Sequence, residues 1–276
     1  MPHPTVIALD LETTGLDPGD DRVVEIGAIA FDGEELERFE SLVRPGRPMG
    51  AGATRINGIR DADLVHAPPA VDVLPGFLAF LDRHPGSPLI AHNATFDAGF
   101  LGMELARANL PAPGLLVLDT LALARRALPT LQSHRLDALV THFAIPTRRR
   151  HRAIDDAEIL RRLWGLLGGS DWAESDHVAY PIRDGSRPAS PPVGWESLEE
   201  AARSRRPIRM SYAGGTRGDA PRLVTPIRFA NRGGIAYLVA VCHLTGGEKS
   251  FRIDRIRNYE VLDRPEESPW PACSSA

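Results

Sequence analysis

The sequence predicts an α/β domain followed by a small, mostly β domain. Two observations indicate the first domain: apolar runs such as residues 6–9 and 23–31 have the character of buried strands, and later stretches have helical apolar spacing. A third observation indicates the second domain, because short β-like segments separated by glycine-containing turns begin near residue 207. A chain of 276 residues has room for one medium and one small domain.

The first apolar strand ends in two carboxylates, Asp10 and Glu12. Side chains alternate along a strand, so both carboxylates point to the same side. Two such charges repel each other and lose hydration unless a cation lies between them. The pair therefore predicts a divalent metal site at the end of a strand. The alternative is two solvated carboxylates at a strand-to-loop junction.

Two later segments place carboxylates at the beginning of helices. Asp97 follows a short apolar run near residue 90 and precedes a helix-like stretch over residues 98–108. His151 and Asp156 open a third helix, in which Asp155 is interpreted as a residue that favours the helix N-terminus electrostatically. This helix has an apolar stripe with the spacing of a buried face, which consists of Ala153, Ala157, Leu160, Trp164 and Leu167.

The three segments have the order Asp-x-Glu, Asn-x-x-Phe-Asp and His-x-x-x-x-Asp. This ordered set resembles the motifs of the DEDDh family of 3'-to-5' exonucleases, in the DnaQ-like proofreading superfamily. The resemblance covers roughly residues 5–168 and implies a ribonuclease-H-like mixed sheet flanked by helices. It extends to three further runs: Ile56-Asn57-Gly58-Ile59, Leu118-Asp119-Thr120-Leu121 and Leu136-Asp137-Ala138-Leu139. Asn57 stands where many members of the family have histidine.

The resemblance implies a hydrolase that uses two Mg²⁺ or Mn²⁺ ions, which prefer carboxylate oxygens. It implies that Asp10 bridges both ions, while Glu12 and Asp156 hold the ion that activates water. Asp97 is then expected to support the other ion. His151 is expected to be the general base, because an imidazole titrates near neutral pH.

The resemblance also implies contacts with the substrate. The backbone around Thr13 and Thr14 is expected to hold the terminal nucleotide, and Leu16 is expected to pack against its base. Asn93 and Phe96 are expected to shape the substrate groove. A structural turn and a core aromatic are the alternatives for these last two residues.

Residues 169–194 are rich in Pro, Gly and Ser and predict a linker. Residues 195–264 then predict a second domain, and residues 265–276 a C-terminal tail. The second domain is expected to be a short helix and a small curled sheet or barrel. Its helix is predicted at residues 195–204 and its strands at 207–213, 221–229, 234–242, 248–254 and 258–263.

Four runs in the second domain carry another resemblance: Ile208-Arg209-Met210-Ser211-Tyr212, Arg222-Leu223-Val224-Thr225-Pro226, Ala236-Tyr237-Leu238-Val239-Ala240 and Phe251-Arg252-Ile253-Asp254-Arg255-Ile256. They resemble a WYL domain, a bacterial regulatory module with an Sm-like β-barrel, although Ala236 replaces the tryptophan of the family name. The resemblance implies a basic pocket for single-stranded nucleic acid or another anionic ligand. Its expected members are Tyr212, Tyr237, Arg252 and Arg255. The alternative is an alternating surface strand with one arginine paired to an acid.

Composition predicts a soluble, cytoplasmic protein. Cys242 and Cys273 are the two cysteines, which indicates no disulfide framework. The amino terminus lacks a basic leader, and no apolar segment approaches a membrane span. Residues 1–168 contain 17 Arg against 22 Asp and Glu, whereas residues 194–264 contain 13 Lys and Arg against 8 acids. The basic part can attract phosphate-bearing ligands, and a solvated surface is the alternative.

The sequence therefore predicts a metal-dependent 3'-to-5' exonuclease that degrades single-stranded DNA or RNA ends to nucleoside 5'-monophosphates. Its WYL domain is expected to bind nucleic acid or a regulatory ligand. The alternative is a ligand-sensing or scaffold regulator in which the nuclease fold mainly binds nucleic acid. A third possibility is that the WYL domain forms a homodimer and contacts no ligand.

Overall fold

The computed structural model describes residues 5–147, 151–169, 178–182, 193–213, 220–232 and 235–262. The chain divides into two compact units, Met1–Arg187 and Pro188–Ala276. The first unit has mixed α and β structure. In chain order its elements are β1 (Val6–Thr13), β2 (Val23–Phe31), β3 (Glu35–Leu42), α1 (Ala51–Asn57), α2 (Asp61–Leu64), α3 (Ala70–Asp82), β4 (Leu89–Ala91), α4 (Thr95–Arg107), β5 (Leu116–Asp119), α5 (Thr120–Ala127), α6 (Leu136–His142), α7 (Ala153–Leu166) and β6 (Ala179–Pro181).

Within the described residues, the strands of the first unit form one six-stranded mixed sheet in the order β3-β2-β1-β4-β5-β6. β1 pairs antiparallel with β2 and parallel with β4, so it lies inside the sheet. All nine residues of β2 are buried, whereas the edge strand β3 has no buried residue. β1 is therefore an interior strand whose C-terminal half carries Asp10 and Glu12.

Alternate residues of β1 face different helix layers. Leu9 packs in one core cluster with Phe77 of α3 and Leu101 of α4. Ala8 packs in another cluster with Leu160 of α7, which also includes residues of α5 and α6. Since side chains alternate along a strand, the even-numbered residues of β1 lie on the sheet face that α7 covers.

The strand β6 lies inside the span 169–194, for which the sequence predicts a linker. It pairs antiparallel with β5, with Val117 opposite Tyr180. Tyr180 and Ile182 are buried in the same cluster as Leu9. This part of the chain therefore completes the sheet of the first unit.

The second unit is mostly β. Within the described residues, its strands form an antiparallel sheet in the order β10-β9-β8-β7-β11. Its elements are α8 (Glu196–Ser204), β7 (Ile208–Tyr212), β8 (Arg222–Arg232), β9 (Ile235–Cys242), β10 (Glu248–Arg252), a 3₁₀ turn at Ile253–Arg255 and β11 (Ile256–Val261).

The core of the second unit lies between α8 and one face of its sheet. Leu198 of α8 packs with Met210 of β7 and Leu238 of β9, and all three side chains are fully buried. The register of β8 and β9 shifts between Pro226 and Arg228. Proline has no N–H to donate to a ladder, so an irregular position of this kind accommodates it.

One predicted strand is wrong at its end. The sequence predicts a strand over residues 248–254, but β10 ends at Arg252 and a 3₁₀ turn follows. The strand alternation expected for residues 251–255 therefore does not apply beyond β10. Within the described residues, no helix combines the length and the apolarity that a membrane span requires.

Candidate active site

Two of the predicted metal ligands lie inside a strand and not after its end. β1 continues to Thr13, so Asp10 and Glu12 are ladder residues that point to the same face. Asp10 lies opposite Gly27 of β2, and Glu12 lies opposite Glu25. Both carboxylates are therefore on the sheet face that α7 covers.

Helix α7 brings a third carboxylate to this pair. Asp156 lies in the first turn of α7 and is 4% exposed. One carboxylate oxygen from each of Asp10, Glu12 and Asp156 lies within 4.8 Å of the other two. Within the described residues, this is the group whose carboxylates are close enough to hold one metal ion. The donor set consists of oxygen atoms alone, which suits a hard divalent cation.

The electrostatics of these residues also favour a cation. Burial, followed by repulsion from Asp156 and Glu12, raises the pKa of Asp10 well above its usual range. Burial and repulsion from Asp156 and Glu25 raise the pKa of Glu12 to about 8. Since a bound cation offsets both burial and repulsion, it would return these groups to their ionised forms.

Asp97 approaches the same group from the opposite helix layer. It lies in the first turn of α4 and is buried. Burial raises its pKa, and hydrogen bonds from its own N–H and that of Leu11 lower it in part. Repulsion from Asp97 contributes to the raised pKa of Asp10, so the two carboxylates interact. Asp97 is, however, outside the group of three whose oxygens lie within 4.8 Å of one another.

His151 and Asp155 flank the start of α7. His151 is half-buried and has a φ of 60°, in the left-handed region that non-glycine residues rarely adopt. Asp155 is half-buried in the first helical turn, next to Asp156. The predicted base and the predicted ligand therefore lie on either side of the beginning of one helix.

The predicted substrate residues after β1 divide into buried and exposed side chains. Thr13 and Thr14 are buried, and Thr14 Oγ1 donates to Asp21 Oδ1 at 3.1 Å. Leu16 is 58% exposed, which is unusual for a leucine. The threonines therefore hold the loop after β1, while Leu16 is available for contact.

Asn93 and Phe96 lie before and within the start of α4. Asn93 has a φ of 72°, and its backbone N–H donates to Asp119 Oδ1 at 3.0 Å. Asp119 also caps α5 by accepting from the N–H of Leu121. The ring of Phe96 lies 4.7 Å from that of Phe100. These contacts are structural ones for both residues.

Asp10, Glu12 and Asp156 form the acidic group. Sequence reasoning did not assign two polar residues that lie beside it. The Asn57 side chain is buried and hydrogen-bonds to Glu12, which lowers the pKa of that carboxyl. Glu25 is fully buried opposite Glu12. A signal for Glu25 was present, because a charged residue inside the apolar run 23–31 needs a buried partner.

The predicted WYL pocket residues have specific partners. The Tyr212 hydroxyl accepts from the backbone N–H of Arg252 at 3.2 Å, and Arg252 lies opposite Tyr237 in the sheet. The Arg252 guanidinium binds Asp254 through two hydrogen bonds of 3.1 and 2.8 Å. The carbonyl of Arg255 accepts from the N–H of Ala213, next to Tyr212. Arg252 is therefore paired with an acid in the 3₁₀ turn that follows its strand.

Sequence reasoning also did not assign Arg222, at the start of β8. Its guanidinium lies 5.4 Å from the ring centre of Tyr212 and 5.9 Å from that of Phe251. Its Nε and Nη2 atoms are buried and have no hydrogen-bond partner among the described residues. A buried donor without a partner is costly, so this site favours a ligand that accepts hydrogen bonds.

Comparison with known proteins agrees with both resemblances. The profile of the exonuclease family RNase_T matches residues 7–163, and the WYL domain profile matches residues 195–261. DNA polymerase III subunit epsilon of Treponema pallidum (strain Nichols) is 37% identical over 168 residues, which is 60% of this chain and 77% of that protein. DNA polymerase III PolC-type of Oceanobacillus iheyensis is 39% identical over 165 residues, 59% of this chain. The match spans 11% of that PolC-type protein.

Solved structures show the same fold for the first unit. The nuclease domain of 3'hExo, a DEDDh family member, has a TM-score of 0.54 and 15% identity, over 62% of this chain and 96% of that one. Cell-death related nuclease 4 has a TM-score of 0.51 and 17% identity, over 60% and 65% of the two chains. The predicted ribonuclease-H-like fold is thus confirmed. Because the exonuclease profile covers more than half of the 276 residues, the chain belongs to the exonuclease family and carries a WYL domain after that family's domain.

Proposed function

We propose that the protein is a metal-dependent 3'-to-5' exonuclease that releases nucleoside 5'-monophosphates from single-stranded DNA or RNA. The observation that carries this proposal is the convergence of Asp10, Glu12 and Asp156 within 4.8 Å. The raised pKa values of Asp10 and Glu12 support the presence of a divalent cation in the working enzyme. The relation to DNA polymerase III subunit epsilon supports a nucleic-acid substrate.

The proposed roles follow from the chemistry of each side chain. Asp10, Glu12, Asp97 and Asp156 would hold two Mg²⁺ or Mn²⁺ ions. When bound, these ions would supply compensation for the charge on the attacking and leaving oxygens. His151 would accept the proton of the attacking water at its imidazole. Its left-handed backbone supports a functional role, since such strain persists where the surrounding structure imposes it.

The terminal nucleotide would bind over the loop after β1. The backbone around Thr13 and Thr14 would hold it, and the exposed Leu16 side chain would pack against its base. The close hydrogen bonding of Thr14 to Asp21 and to the N–H of Arg22 would keep this loop in shape before substrate arrives. Asn93 and Phe96 would line the groove further along.

The WYL domain would contribute a second site for an anionic ligand. Arg222 offers two buried N–H donors that have no partner in the part of the chain that the structure describes, and Tyr212 and Phe251 offer aromatic faces beside it. Tyr237, Arg252 and Arg255 would complete the pocket. Arginine forks and aromatic faces suit phosphates and bases, so single-stranded nucleic acid or a regulatory nucleotide fits this chemistry.

The identity of the product tests the proposed reaction. Unlabelled single-stranded DNA and RNA oligonucleotides are incubated with the full chain in Mg²⁺, Mn²⁺ or EDTA, and the products are identified by mass spectrometry. We expect nucleoside 5'-monophosphates in both metals and no product in EDTA or with Asp10→Asn. Nucleoside 3'-monophosphates, or cleavage that Asp10→Asn leaves intact, would contradict the proposal. Binding without cleavage in any metal would favour the scaffold alternative.

A further inference from the structure

The buried carboxylate of Glu25 holds the beginning of α7. Arg152 Nε donates to both of its oxygens, at 2.9 and 3.0 Å, and Arg152 Nη2 donates to one of them. The backbone N–H of Ala153 donates to Glu25 Oε2 at 2.9 Å. Glu25 is fully buried, and a charge in that environment persists when it is paired and hydrogen-bonded. Its hydrogen bonds to Arg152 and Ala153 lie at the first turn of the helix that carries Asp156.

Gly27 allows the beginning of α7 to pack directly against β2. It lies two residues after Glu25, so its α-carbon faces the same side of β2. A β-carbon at Gly27 would lie 2.2 Å from the carbonyl carbon of Ala153 and 2.3 Å from the backbone N of Ile154. Atoms cannot approach so closely, and both are backbone atoms that a rotamer change cannot move. Glu25 and Gly27 therefore form a cradle on β2 that fits the first residues of α7.

The cradle fixes the two predicted functional residues at the beginning of α7, His151 before the helix and Asp156 in its first turn. Arg152 is the N-cap residue of α7 and provides no side-chain cap to the helix. Its carbonyl accepts from the N–H of Asp156 at 2.9 Å, so the ligand is bonded directly to the anchored residue. His151 immediately precedes Arg152, in its left-handed conformation. The anchored residue thus lies between the predicted base and the predicted ligand.

We propose that Glu25 and Arg152 are positioning residues that set His151 and Asp156 relative to the carboxylates on β1. This inference rests on the proposed exonuclease function for its catalytic consequence. Its metal-binding consequence is independent of cleavage. The competing explanation is a buried ion pair that contributes to stability and leaves the geometry of the acidic group unaffected.

The direction of the change in cation affinity distinguishes a positioning role of Arg152 from an effect of its charge. The Arg152 guanidinium attracts Glu12 through space, so it opposes a cation bound at Glu12. If Arg152 acted through its charge alone, removal of that charge would strengthen cation binding. If Arg152 positions Asp156, its removal weakens cation binding.

The test is a calorimetric titration of the full chain with Mn²⁺, below the unfolding temperature of every variant. Arg152→Met should bind Mn²⁺ at least about tenfold more weakly, the usual cost of losing a residue that orients a ligand. Arg152→Lys retains the charge and one donor, so it should recover part of the affinity. The double variant Glu25→Met with Arg152→Met removes both charges at once and leaves no unpaired buried ion. It should remain folded and still bind Mn²⁺ weakly.

Glu158→Gln is the matched control on the same helix. Glu158 pairs with Arg161 and Arg162 of α7 and lies outside the group formed by Asp10, Glu12 and Asp156. Its Mn²⁺ affinity should equal that of the natural protein. Unchanged or tighter Mn²⁺ binding in Arg152→Met and in the double variant would overturn the positioning role. If the natural protein binds Mn²⁺ but cleaves nothing, the proposed function fails while this inference is still tested.

Discussion

At the scale of single residues, the main feature is a pair of carboxylates, Asp10 and Glu12, whose pKa values are raised by burial and by repulsion from neighbouring acids. The pKa of Asp10 is raised well above its usual range, and that of Glu12 is raised to about 8. Arg152 and Asn57 reduce the effect on Glu12 but do not cancel it. A divalent cation would stabilise the ionised form of these carboxylates, since a metal ligand must lose its proton.

The raised pKa of Glu12 predicts how the metal-free protein responds to pH. In the unfolded chain this carboxyl has its ordinary pKa of 4.5, and in the folded chain its pKa is about 8. Between these values the folded state binds more protons, so the free energy of unfolding falls as pH rises. In EDTA, the melting temperature of the exonuclease unit should therefore decrease from pH 5 to pH 8, as measured by calorimetry.

Two controls sharpen this pH prediction. Glu12→Gln cannot titrate at this position, so its melting temperature should depend less steeply on pH. Mn²⁺ should raise the melting temperature of the natural protein, because it binds the ionised group in the folded state alone. A melting temperature that rises from pH 5 to pH 8 in EDTA would show that Glu12 is ionised without metal.

Neighbouring aspartates at the start of α7 should differ sharply in importance. Asp156 is 4% exposed and lies within 4.8 Å of Asp10 and Glu12, whereas Asp155 is half-buried and outside that group. Asp156→Asn should lower kcat more than about 100-fold, beyond the usual cost of losing a residue that only orients a ligand. Asp155→Asn should lower it less than about threefold, as expected for a helix-dipole interaction. Steady-state kinetics on a fluorescent oligonucleotide would measure kcat for both variants. The reverse ranking would contradict the assignment of Asp156 as the ligand.

At the scale of elements, the site depends on the fit between α7 and the first two strands. The alternation of β1 was readable from the sequence and put Asp10 and Glu12 on one face. The resemblance to the DEDDh motifs selected Asp156 as the expected ligand, and the structure brings its carboxylate to those of Asp10 and Glu12. The role of Glu25 was not readable, because it follows from the register that places β2 beside β1 and under α7.

Gly27 offers a direct test of that fit. Gly27→Ala would force the start of α7 away from β2, since the added carbon would overlap the backbone of residues 153 and 154. We expect kcat to fall at least about tenfold, as for the loss of a residue that orients a ligand. The melting temperature should also fall. Activity and thermal unfolding of the same preparation would measure both effects.

Gly165→Ala is the matched control within α7. A β-carbon at Gly165 has nothing within 4 Å, and alanine is the better helix former. Its activity should be unchanged and its melting temperature equal or slightly higher. Full activity of Gly27→Ala would mean that α7 can move without disturbing the acidic group.

The second unit shows another limit of sequence reasoning. The predicted strand through residue 254 fails because the chain turns after Arg252, whose guanidinium binds Asp254. Arg222 was inside a recognised run, yet its importance follows from two aromatic rings supplied by other strands. Contacts of this kind depend on sheet order, which local patterns do not specify.

At the scale of the whole molecule, an acidic catalytic unit is joined to a basic one. The pattern-based boundaries at residues 168 and 194 stay predictions, although β6 belongs to the first sheet. The charge difference suggests that the second unit contributes to capture of nucleic acid by the full chain. That contribution can be measured without reference to cleavage.

Arg222 should contribute to that capture. Its replacement by methionine removes a cation whose buried donors have no partner among the described residues. With Asp10→Asn as the background, Arg222→Met should weaken binding of single-stranded DNA in a fluorescence anisotropy titration. The slope of log K against log salt should decrease by about 0.7, the value for one phosphate contact on a single strand.

Arg203→Met provides the control with the same change in charge. Arg203 is exposed on α8 and pairs with Glu200. Its loss should leave the slope unchanged. Equal effects of the two variants would indicate a general influence of net charge in place of a site at Arg222.

The most direct test of the central claim is the polarity of cleavage at the carboxylate site. Full-length protein and Asp10→Asn are incubated with single-stranded oligonucleotides labelled at the 5' end or at the 3' end, in Mn²⁺ or EDTA. We expect a Mn²⁺-dependent ladder that shortens the 5'-labelled strand step by step. We also expect immediate release of one labelled nucleotide from the 3'-labelled strand, and neither product with Asp10→Asn. Internal cuts, shortening from the 5' end, or the same ladder with Asp10→Asn would contradict a 3'-to-5' exonuclease at this site.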